Sequence, residues 1–393
     1  MGFSQQEWNT AFSLIDSDGA RFGFPERRNR SVIVGSFNTL KLGNAGDDKK
    51  CWDFFSLVCD RFDLLALQEV MDDLSGLNRL VAALDDDYQV LVSDATGAAP
   101  GDRGLRERLA FVYRDSRLSR DEVASDITYD RSRVVKSLYE NRTKWIAWIE
   151  NYTKRVEEAH AQNRRAPSLS KEALPEFLTF IRTPHCGAFT IRGRSGHTGI
   201  PFIAINAHTL YGNDPSERRG EFFALLEWLV SRAKRGDRLY HRNMILMADL
   251  NMEFDDVETQ RTTIDNRIRV LNKGRLSAAK AALVNFPYLS AHPQKGLMTT
   301  NARKTQTYDH IAFFISPSEK NLPRVPENQN AGKSVDGYDY GVVDFASLFA
   351  EVRFGDSNVE NLTSRQATQL YKACKDDVSD HMPIWVRLPI PGA

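Results

Sequence analysis

The chain has 393 residues, and its 52 Lys and Arg residues are balanced by 52 Asp and Glu residues, so its formal net charge is zero. This balance gives no support for a polynucleotide partner, although local basic patches matter more for such binding than the sum. The four cysteines (Cys51, Cys59, Cys186 and Cys374) lack zinc-ligand spacing, and no run of about 18 apolar residues or signal-peptide core is present, so we predict a cytoplasmic protein with reduced thiols and no membrane partner.

The first part of the chain alternates strand and helix patterns. Residues 1–30 are polar, with a short amphipathic stretch around Trp8, and predict an N-terminal extension. Apolar and β-branched runs then predict strands over 31–38, 63–69, 88–92 and 109–113. Apolar residues at helical spacing separate the first three runs, near residues 54–58 and 74–84. This alternation is typical of a layered α/β domain.

Residues 118–182 have a different composition, rich in Arg, Lys and Glu, with few turn signals before Pro167. They predict a long amphipathic helix and a second short helix from about Lys171 to Ile181, which together form an insertion. The basic residues interleave with Trp145, Trp148 and Tyr152, so they could contact phosphates or stack bases. We favour the alternative of a solvated helix face whose aromatic side chains pack on the body.

Strand patterns resume in the second half of the chain, at 187–191, 201–206, 243–247, 308–315 and 382–388. A helix is predicted over 218–233, between the second and third of these strands. Residues 316–375 are irregular, with a late helix near 365–374, and predict a second insertion.

Polar side chains recur at the ends of these predicted strands. The residues that share this placement are Asn38, Glu69, His208, Asp249, Asn251, Asp309, Asp380 and His381. Carboxylate and amide oxygens are ligands that Mg²⁺ and Mn²⁺ prefer, and histidines exchange protons near neutral pH. Each residue alone is compatible with an ordinary turn or a core histidine, but the ordered set suits metal-assisted hydrolysis of a phosphate ester.

The motifs of this set are Ser36-Phe-Asn38, Leu67-Gln-Glu69, Asn206-Ala-His208, Ala248-Asp-Leu-Asn251, Tyr308-Asp309 and Ser379-Asp-His381. In this order they resemble the endonuclease/exonuclease/phosphatase superfamily over roughly 31–388, outside the two insertions. Residues 63–73 and Arg106-Glu107-Arg108 are similar to the deoxyribonuclease I branch.

This resemblance implies an α+β fold, a four-layer α/β sandwich of two packed, mainly antiparallel sheets flanked by helices. The domain would span 31–393 after the extension 1–30, with a helical insertion near 118–182 and another at about 316–375. The strand–helix alternation alone would have suggested a parallel sheet.

The resemblance also implies a role for each matching residue. Asn38 and Glu69 would form a site for Mg²⁺ or Mn²⁺, with Asp380 completing the shell. Asp249 and Asn251 would orient the attacking water and hold the phosphate. His208, held by Glu107, would contact the phosphate as an acid or electrophile. His381, oriented by Asp309, would act as the opposite acid/base.

The expected function is hydrolysis of DNA phosphodiester bonds, with DNA as the partner. Two positions depart from deoxyribonuclease I: Met71 replaces an arginine that enters the minor groove, and Leu105 replaces a tyrosine that packs on the backbone. The alternative is a phosphatase or phosphodiesterase acting on a lipid, inositol phosphate or small nucleotide. Met252 and Glu253 after Asn251 count against the inositol polyphosphate phosphatases.

A third alternative is a binding module without activity, which the complete set of expected catalytic residues disfavours. A nonspecific nuclease in the cytoplasm endangers its own cell. Control by a regulatory partner or by self-association is therefore expected.

Overall fold

A computed structural model of the protein describes residues 2–43, 50–96, 106–169, 172–210, 215–235, 238–252, 257–272, 281–293, 295–318 and 339–392. The strands are β1 (Ser31–Leu42), β2 (Leu64–Met71), β3 (Tyr88–Val92), β4 (Glu107–Arg114), β5 (Leu118–Asp126), β6 (His185–Ile191), β7 (Ile200–His208), β8 (Met244–Asp249), β9 (Leu283–Asn285), β10 (Asp309–Ile315), β11 (Asp339–Val342) and β12 (Ile384–Pro389). The helices are α1 (Gln5–Asp18), α2 (Trp52–Cys59), α3 (Ser75–Ala82), α4 (Arg131–Glu140), α5 (Arg142–Ala161), α6 (Pro215–Ala233), α7 (Val257–Asn272), α8 (Phe345–Phe354) and α9 (Ser364–Asp377).

In the described ranges the strands form two six-stranded sheets. The first sheet has the order β11-β12-β1-β2-β4-β3, and the second has the order β5-β6-β7-β8-β10-β9. Neighbouring strands are antiparallel except for one parallel pair at the centre of each sheet, β1 with β2 and β7 with β8. The expectation of mainly antiparallel sheets is confirmed, and a parallel sheet is excluded.

The two parallel pairs bring candidate site residues together. Asn38 lies opposite Gln68, next to Glu69, and His208 lies opposite Asp249. Because the carboxyl ends of parallel neighbours meet at one edge of a sheet, each pair delivers its polar end residues to the same place.

Side chains alternate between the two faces of the second sheet, as strand geometry requires. On β10, Ile311 and Phe313 belong to the core that lies between the sheets, where Phe111 and Phe189 pack with ring centroids 5.6 Å apart. Phe314, the next residue along the strand, belongs to the second core, beneath α6. Helices α1, α2 and α8 cover the other face of the first sheet. The arrangement is helix, sheet, sheet, helix, which confirms the predicted four-layer sandwich.

The structure corrects the start of the first insertion. Residues 118–126 form β5, which pairs with β6 at the edge of the second sheet, so the added helices begin only at Arg131. An edge strand can carry charged residues on its solvated side, and here they resemble the polar side of a helix. The predicted long helix is two helices that meet at Asn141, and the described residues 172–181 contain no helix.

Two further segments have more structure than predicted. The extension contributes α1, which buries Trp8 and Ile15, and Trp8 packs against Phe349 at 4.9 Å. Residues 316–375 contain β11 and α8 besides the predicted late helix, which is α9. Residues 319–338 lie outside the described ranges. None of the helices described is both long enough and apolar enough to cross a membrane.

Candidate active site

One buried amide joins candidate residues from the two sheets. The Nδ2 atom of Asn38 donates to Oδ2 of Asp249 at 2.9 Å and to Oε1 of Glu69 at 3.2 Å. Asn38 and Asp249 are buried, whereas Glu69 is partly exposed. The predicted metal residues Asn38 and Glu69 are therefore in contact with each other and with the carboxylate predicted to act on water.

Unusual backbone conformations position the side chains of Glu69 and Asn251. Glu69 has φ 57° and Asn251 has φ 46°, and the pairing of β2 with β4 shifts register between Leu67 and Val70. Non-glycine residues rarely adopt this left-handed conformation unless surrounding contacts hold them there. For Glu69 one such contact is a hydrogen bond from the backbone N–H of Lys41 to Oε2 at 3.1 Å.

His208 is held by a carboxylate that has a second partner. Oε2 of Glu107 accepts from Nδ1 of His208 at 3.1 Å, and Arg182 donates to both carboxylate oxygens, with Nη2 3.0 Å from Oε1. Burial raises the pKa of Glu107, but the hydrogen bond from His208 and the charge of Arg182 outweigh burial and lower the pKa to about 2. Glu107 is thus an ionised, fixed acceptor, as the resemblance implies.

His381, like His208, is held through Nδ1 by a buried carboxylate. Its Nδ1 donates to Oδ2 of Asp309 at 2.9 Å, and the Thr300 hydroxyl donates to the same oxygen at 2.7 Å. Burial lowers the pKa of His381, but the carboxylates of Asp309 and Asp249 outweigh it and raise the pKa well above the usual value. The two carboxylates therefore favour the protonated form of His381.

Asp249 lies between the two histidines. Its Oδ2 is 3.6 Å from Nε2 of His208 and 3.6 Å from Nε2 of His381. Its Oδ1 accepts from the backbone N–H of Asn251 at 2.9 Å. Burial raises the pKa of Asp249, but the two histidines and the hydrogen bond from Asn38 lower it below the usual value. The result is an ionised carboxylate with an imidazole Nε2 on either side.

Among the described residues, two groups of acidic and histidine side chains could hold a metal ion: Glu69, Glu107 and His208, and Asp249, Asp309 and His381. Within each group the ligand atoms lie within 4.8 Å of one another. Oxygen-rich groups without cysteine suit Mg²⁺ or Mn²⁺. Oδ1 of Asp309 is buried and has no hydrogen-bond partner among the described residues, so one carboxylate oxygen is available to a cation. The oxygen donors of these groups suit a hard divalent cation, and the predicted metal residue Glu69 belongs to one of them.

Asp380 is not a member of either group within the described ranges. Its Oδ2 lies 3.3 Å from Nζ of Lys375, and its carbonyl accepts from the backbone N–H of Ala302 at 2.8 Å. Its predicted place in the metal shell stays a prediction.

The structure also shows the surroundings of His310, which follows Asp309, and of the aromatic side chains of α5. His310 is buried and donates from Nε2 to the carbonyl oxygen of Thr307 at 3.0 Å, and burial lowers its pKa to about 4, so it is a neutral core histidine. Trp148 and Tyr152 donate to the carbonyls of Ala173 and Pro167 and so pack on the segment that follows α5. Leu105 and Glu253 lie outside the described ranges.

Arg182 is a side chain of the candidate site that the sequence did not single out for a role. Arg182 lies in the predicted insertion and 75 positions from its partner. A buried glutamate at the start of β4 requires a cationic partner, but nothing local identifies which residue supplies it.

Comparisons with known proteins gave structural neighbours only: no family model matches, and no curated protein matches. An endonuclease/exonuclease/phosphatase family protein from Bacteroides thetaiotaomicron is 15% identical, with 92% of this chain and 96% of that chain covered, at a TM-score of 0.43. The human Nocturnin catalytic domain is 12% identical, with 91% of this chain and 93% of that chain covered, at a TM-score of 0.44. Truncated Caenorhabditis elegans TDP2 is 12% identical, with 91% of this chain and 97% of that chain covered, at a TM-score of 0.44.

By its own ordered motifs and its own two-sheet sandwich, this chain is similar to the endonuclease/exonuclease/phosphatase superfamily.

Proposed function

We propose that the protein is a metal-dependent phosphodiesterase, and that its substrate is DNA. The observation that carries this proposal is the position of Asp249, whose Oδ2 lies 3.6 Å from Nε2 of both His208 and His381. A carboxylate flanked by two imidazoles provides a base for water and two donors for a phosphate in one small volume.

Asp249 acts on the attacking water. Its lowered pKa keeps it ionised, so it can orient a water molecule and accept its proton. Hydrogen bonds from Asn38 and from the backbone N–H of Asn251 fix the carboxylate, so its orientation needs no rearrangement during the reaction.

The two histidines act on the phosphate. His381, whose protonated form Asp309 and Asp249 favour, presents Nε2 beside Asp249, where it stabilises negative charge that develops on a phosphate oxygen. His208 presents its own Nε2 from the opposite side, because Glu107 holds Nδ1. One of the two transfers a proton to the leaving oxygen.

Asn38 and Glu69, with Asp380, would hold Mg²⁺ or Mn²⁺ at the partly exposed side of this site. When bound, the cation supplies charge neutralisation of the phosphate and polarises its oxygens. Glu69 and Asn38 are already in contact at 3.2 Å, and their contact bridges to Asp249.

We propose DNA as the substrate because His208 is bound by Glu107. Glu107 belongs to residues 106–108, the segment that is similar to deoxyribonuclease I. The second candidate is a phosphatase or phosphodiesterase acting on a lipid, inositol phosphate or small nucleotide. Met71 favours this candidate, because it ends β2 where the nuclease pattern has a groove-binding arginine.

The test is a cleavage assay on supercoiled plasmid, single-stranded DNA and RNA, in Mg²⁺, Mn²⁺ or EDTA. His208→Ala and Asp249→Asn remove the proposed chemistry, and His160→Ala and Asp265→Asn are matched substitutions at exposed helix positions. We expect metal-dependent nicking that is lost in the first two variants and kept in the other two.

Small substrates in the same assay separate the two candidates. Bis-p-nitrophenyl phosphate reports diester hydrolysis, and p-nitrophenyl phosphate reports monoester hydrolysis. Metal-dependent hydrolysis of a small ester by protein that leaves every polynucleotide intact would overturn the DNA proposal and support the second candidate. Nicking that persists in Asp249→Asn would overturn the assigned chemistry.

A further inference from the structure

A basic strip, defined as Arg303, Tyr371 and Lys375, lies beside His381. We propose that this strip binds the backbone phosphates of a polynucleotide next to the scissile phosphate. The inference rests on the proposed function and adds to it the residues that grip the substrate.

The strip is fixed relative to His381 by backbone hydrogen bonds. Ala302 N donates to Asp380 O at 2.8 Å, and Met382 N donates to Thr300 O at 2.6 Å. The turn that carries Arg303 is therefore bonded to the chain on both sides of His381. A ligand on this strip lies next to the reacting groups rather than on a separate surface.

Helix α9 supplies the other two members. Tyr371 and Lys375 are one helical turn apart, so they share a face of the helix. Two residues after the end of α9 the chain reaches Ser379, which begins the motif that contains His381. The face is thus held at the edge of the site by a short connection.

Arg303 is positioned but not neutralised. Its guanidinium carbon lies 3.8 Å from the centroid of the Tyr371 ring, and the side chain is exposed. In the part of the chain that the structure describes, no ion pair to a carboxylate involves Arg303. Stacking on a ring orients a guanidinium and leaves its N–H donors free for phosphate oxygens.

Lys375 is anchored at the residue before His381. Its Nζ lies 3.3 Å from Oδ2 of Asp380, and its side chain is 44% exposed. An ammonium group has three donors, so one contact to Asp380 leaves capacity for a phosphate oxygen. The neighbouring Lys304 differs, because Asp344 and Ser347 both accept from its Nζ.

The chemistry of the strip indicates a polynucleotide rather than a small ester. A simple monoester or diester has a single phosphate, which the residues around Asp249 would engage by themselves. Cations beside that position serve a substrate that carries further phosphates along a chain. Because Arg303 covers the face of Tyr371, the strip offers charge and no platform for stacking a base, so its grip is independent of sequence.

The experiment compares wild-type protein with Arg303→Ala, Lys375→Ala and the double variant. Arg365→Ala is the matched control, since it removes an exposed cation from the start of the same helix. The readouts are kcat/KM on a DNA oligonucleotide and on bis-p-nitrophenyl phosphate, and anisotropy of a fluorescein-labelled oligonucleotide over a range of salt. Thermal unfolding checks that each variant is folded, and Lys375→Gln and Arg303→Gln replace any that is not.

We expect kcat/KM of the double variant on DNA to fall about 10-fold to 100-fold, mainly through a higher KM. This fall should be at least about ten times larger than the fall in kcat/KM on the small diester. The slope of log binding constant against log salt should fall by about 0.9 for each phosphate contact removed. Arg365→Ala should match wild type in all readouts.

Equal losses of kcat/KM on both substrates would overturn the proposed role of the strip and leave the nuclease proposal intact. Unchanged oligonucleotide binding by the double variant would do the same. Wild-type protein that hydrolyses the small diester but not DNA would instead overturn the nuclease proposal. The anisotropy measurement then still decides the strip, because weaker binding by the double variant than by Arg365→Ala supports it.

Discussion

Arg182 donates from Nη2 to Oε1 of Glu107 at 3.0 Å, and both side chains are buried. Glu107 begins β4, whereas Arg182 lies between α5 and β6, in the segment that the sequence assigned to an insertion. Because Glu107 also accepts from His208, a residue outside the predicted motifs fixes the carboxylate that orients a candidate catalytic histidine.

Arg182→Gln should lower both stability and rate. It leaves the Glu107 carboxylate buried with a weaker partner, which costs about 3–5 kcal/mol in the free energy of unfolding. We expect kcat on bis-p-nitrophenyl phosphate to fall about 10-fold to 100-fold, because His208 loses its fixed support. Urea unfolding and steady-state kinetics measure the two effects. Arg155→Gln, which breaks an exposed pair with Glu172, should change stability and rate little; equal losses in the two variants would contradict the prediction.

Asp309→Asn should reduce kcat at least about 100-fold with little change in KM. The amide removes the negative charge that holds the proton on His381, so the imidazole is no longer a charged donor to the phosphate. Initial rates on the small diester test this. Asp339→Asn is the control, because Asp339 faces His292 at 3.4 Å in a similar His–Asp contact. A loss of similar size in the control would show that the effect is structural.

Asn206→Leu should destabilise the sandwich. Its buried Nδ2 donates to the carbonyls of Leu67 at 2.9 Å and Ala110 at 3.0 Å, and its Oδ1 accepts from Gln68 at 2.7 Å, so it joins the two sheets. Leucine removes these three buried hydrogen bonds between the sheets, which costs at least about 2 kcal/mol. Chemical unfolding measures the difference, with the exposed Asn266→Leu as a control. An unchanged midpoint would exclude this role for the amide.

Glu221 should make stability fall with rising pH. Burial raises its pKa from 4.5 to about 7, although the N–H groups of Ile181 and Leu210 donate to its carboxylate. A carboxyl with a raised pKa contributes stability that is complete below about pH 4.5 and is lost as pH rises through about 7, here on the order of 3 kcal/mol.

Unfolding free energies measured from pH 4.5 to 8 test this contribution. Glu221→Gln should have a flatter profile than wild type, because an amide does not titrate in this range. Glu227→Gln, on the same helix and partly exposed, should follow wild type. Parallel profiles for wild type and Glu221→Gln would refute the raised pKa.

Much of the fold could be predicted because the buried strands have continuous apolar runs. All residues from Asp309 to Ile315 are buried, and the sequence predicts β10 within one residue. Strand β5 was missed for the opposite reason: only Leu118 is buried, and its charged edge residues have no strand signature. Helix α8 was missed because it lies beside a long irregular stretch, although Phe345, Leu348 and Phe349 are buried.

The sequence by itself determined which chemical groups the site has and which strands carry them, because residue type and the alternation of apolar and polar residues are local properties. Only the tertiary structure decided their partners. Asn38 forms a hydrogen bond with Asp249, 211 positions along the chain. Glu107 forms an ion pair with Arg182, and Asp380 forms one with Lys375. These contacts depend on strand register and on the packing of one sheet against the other, and a local pattern does not specify either.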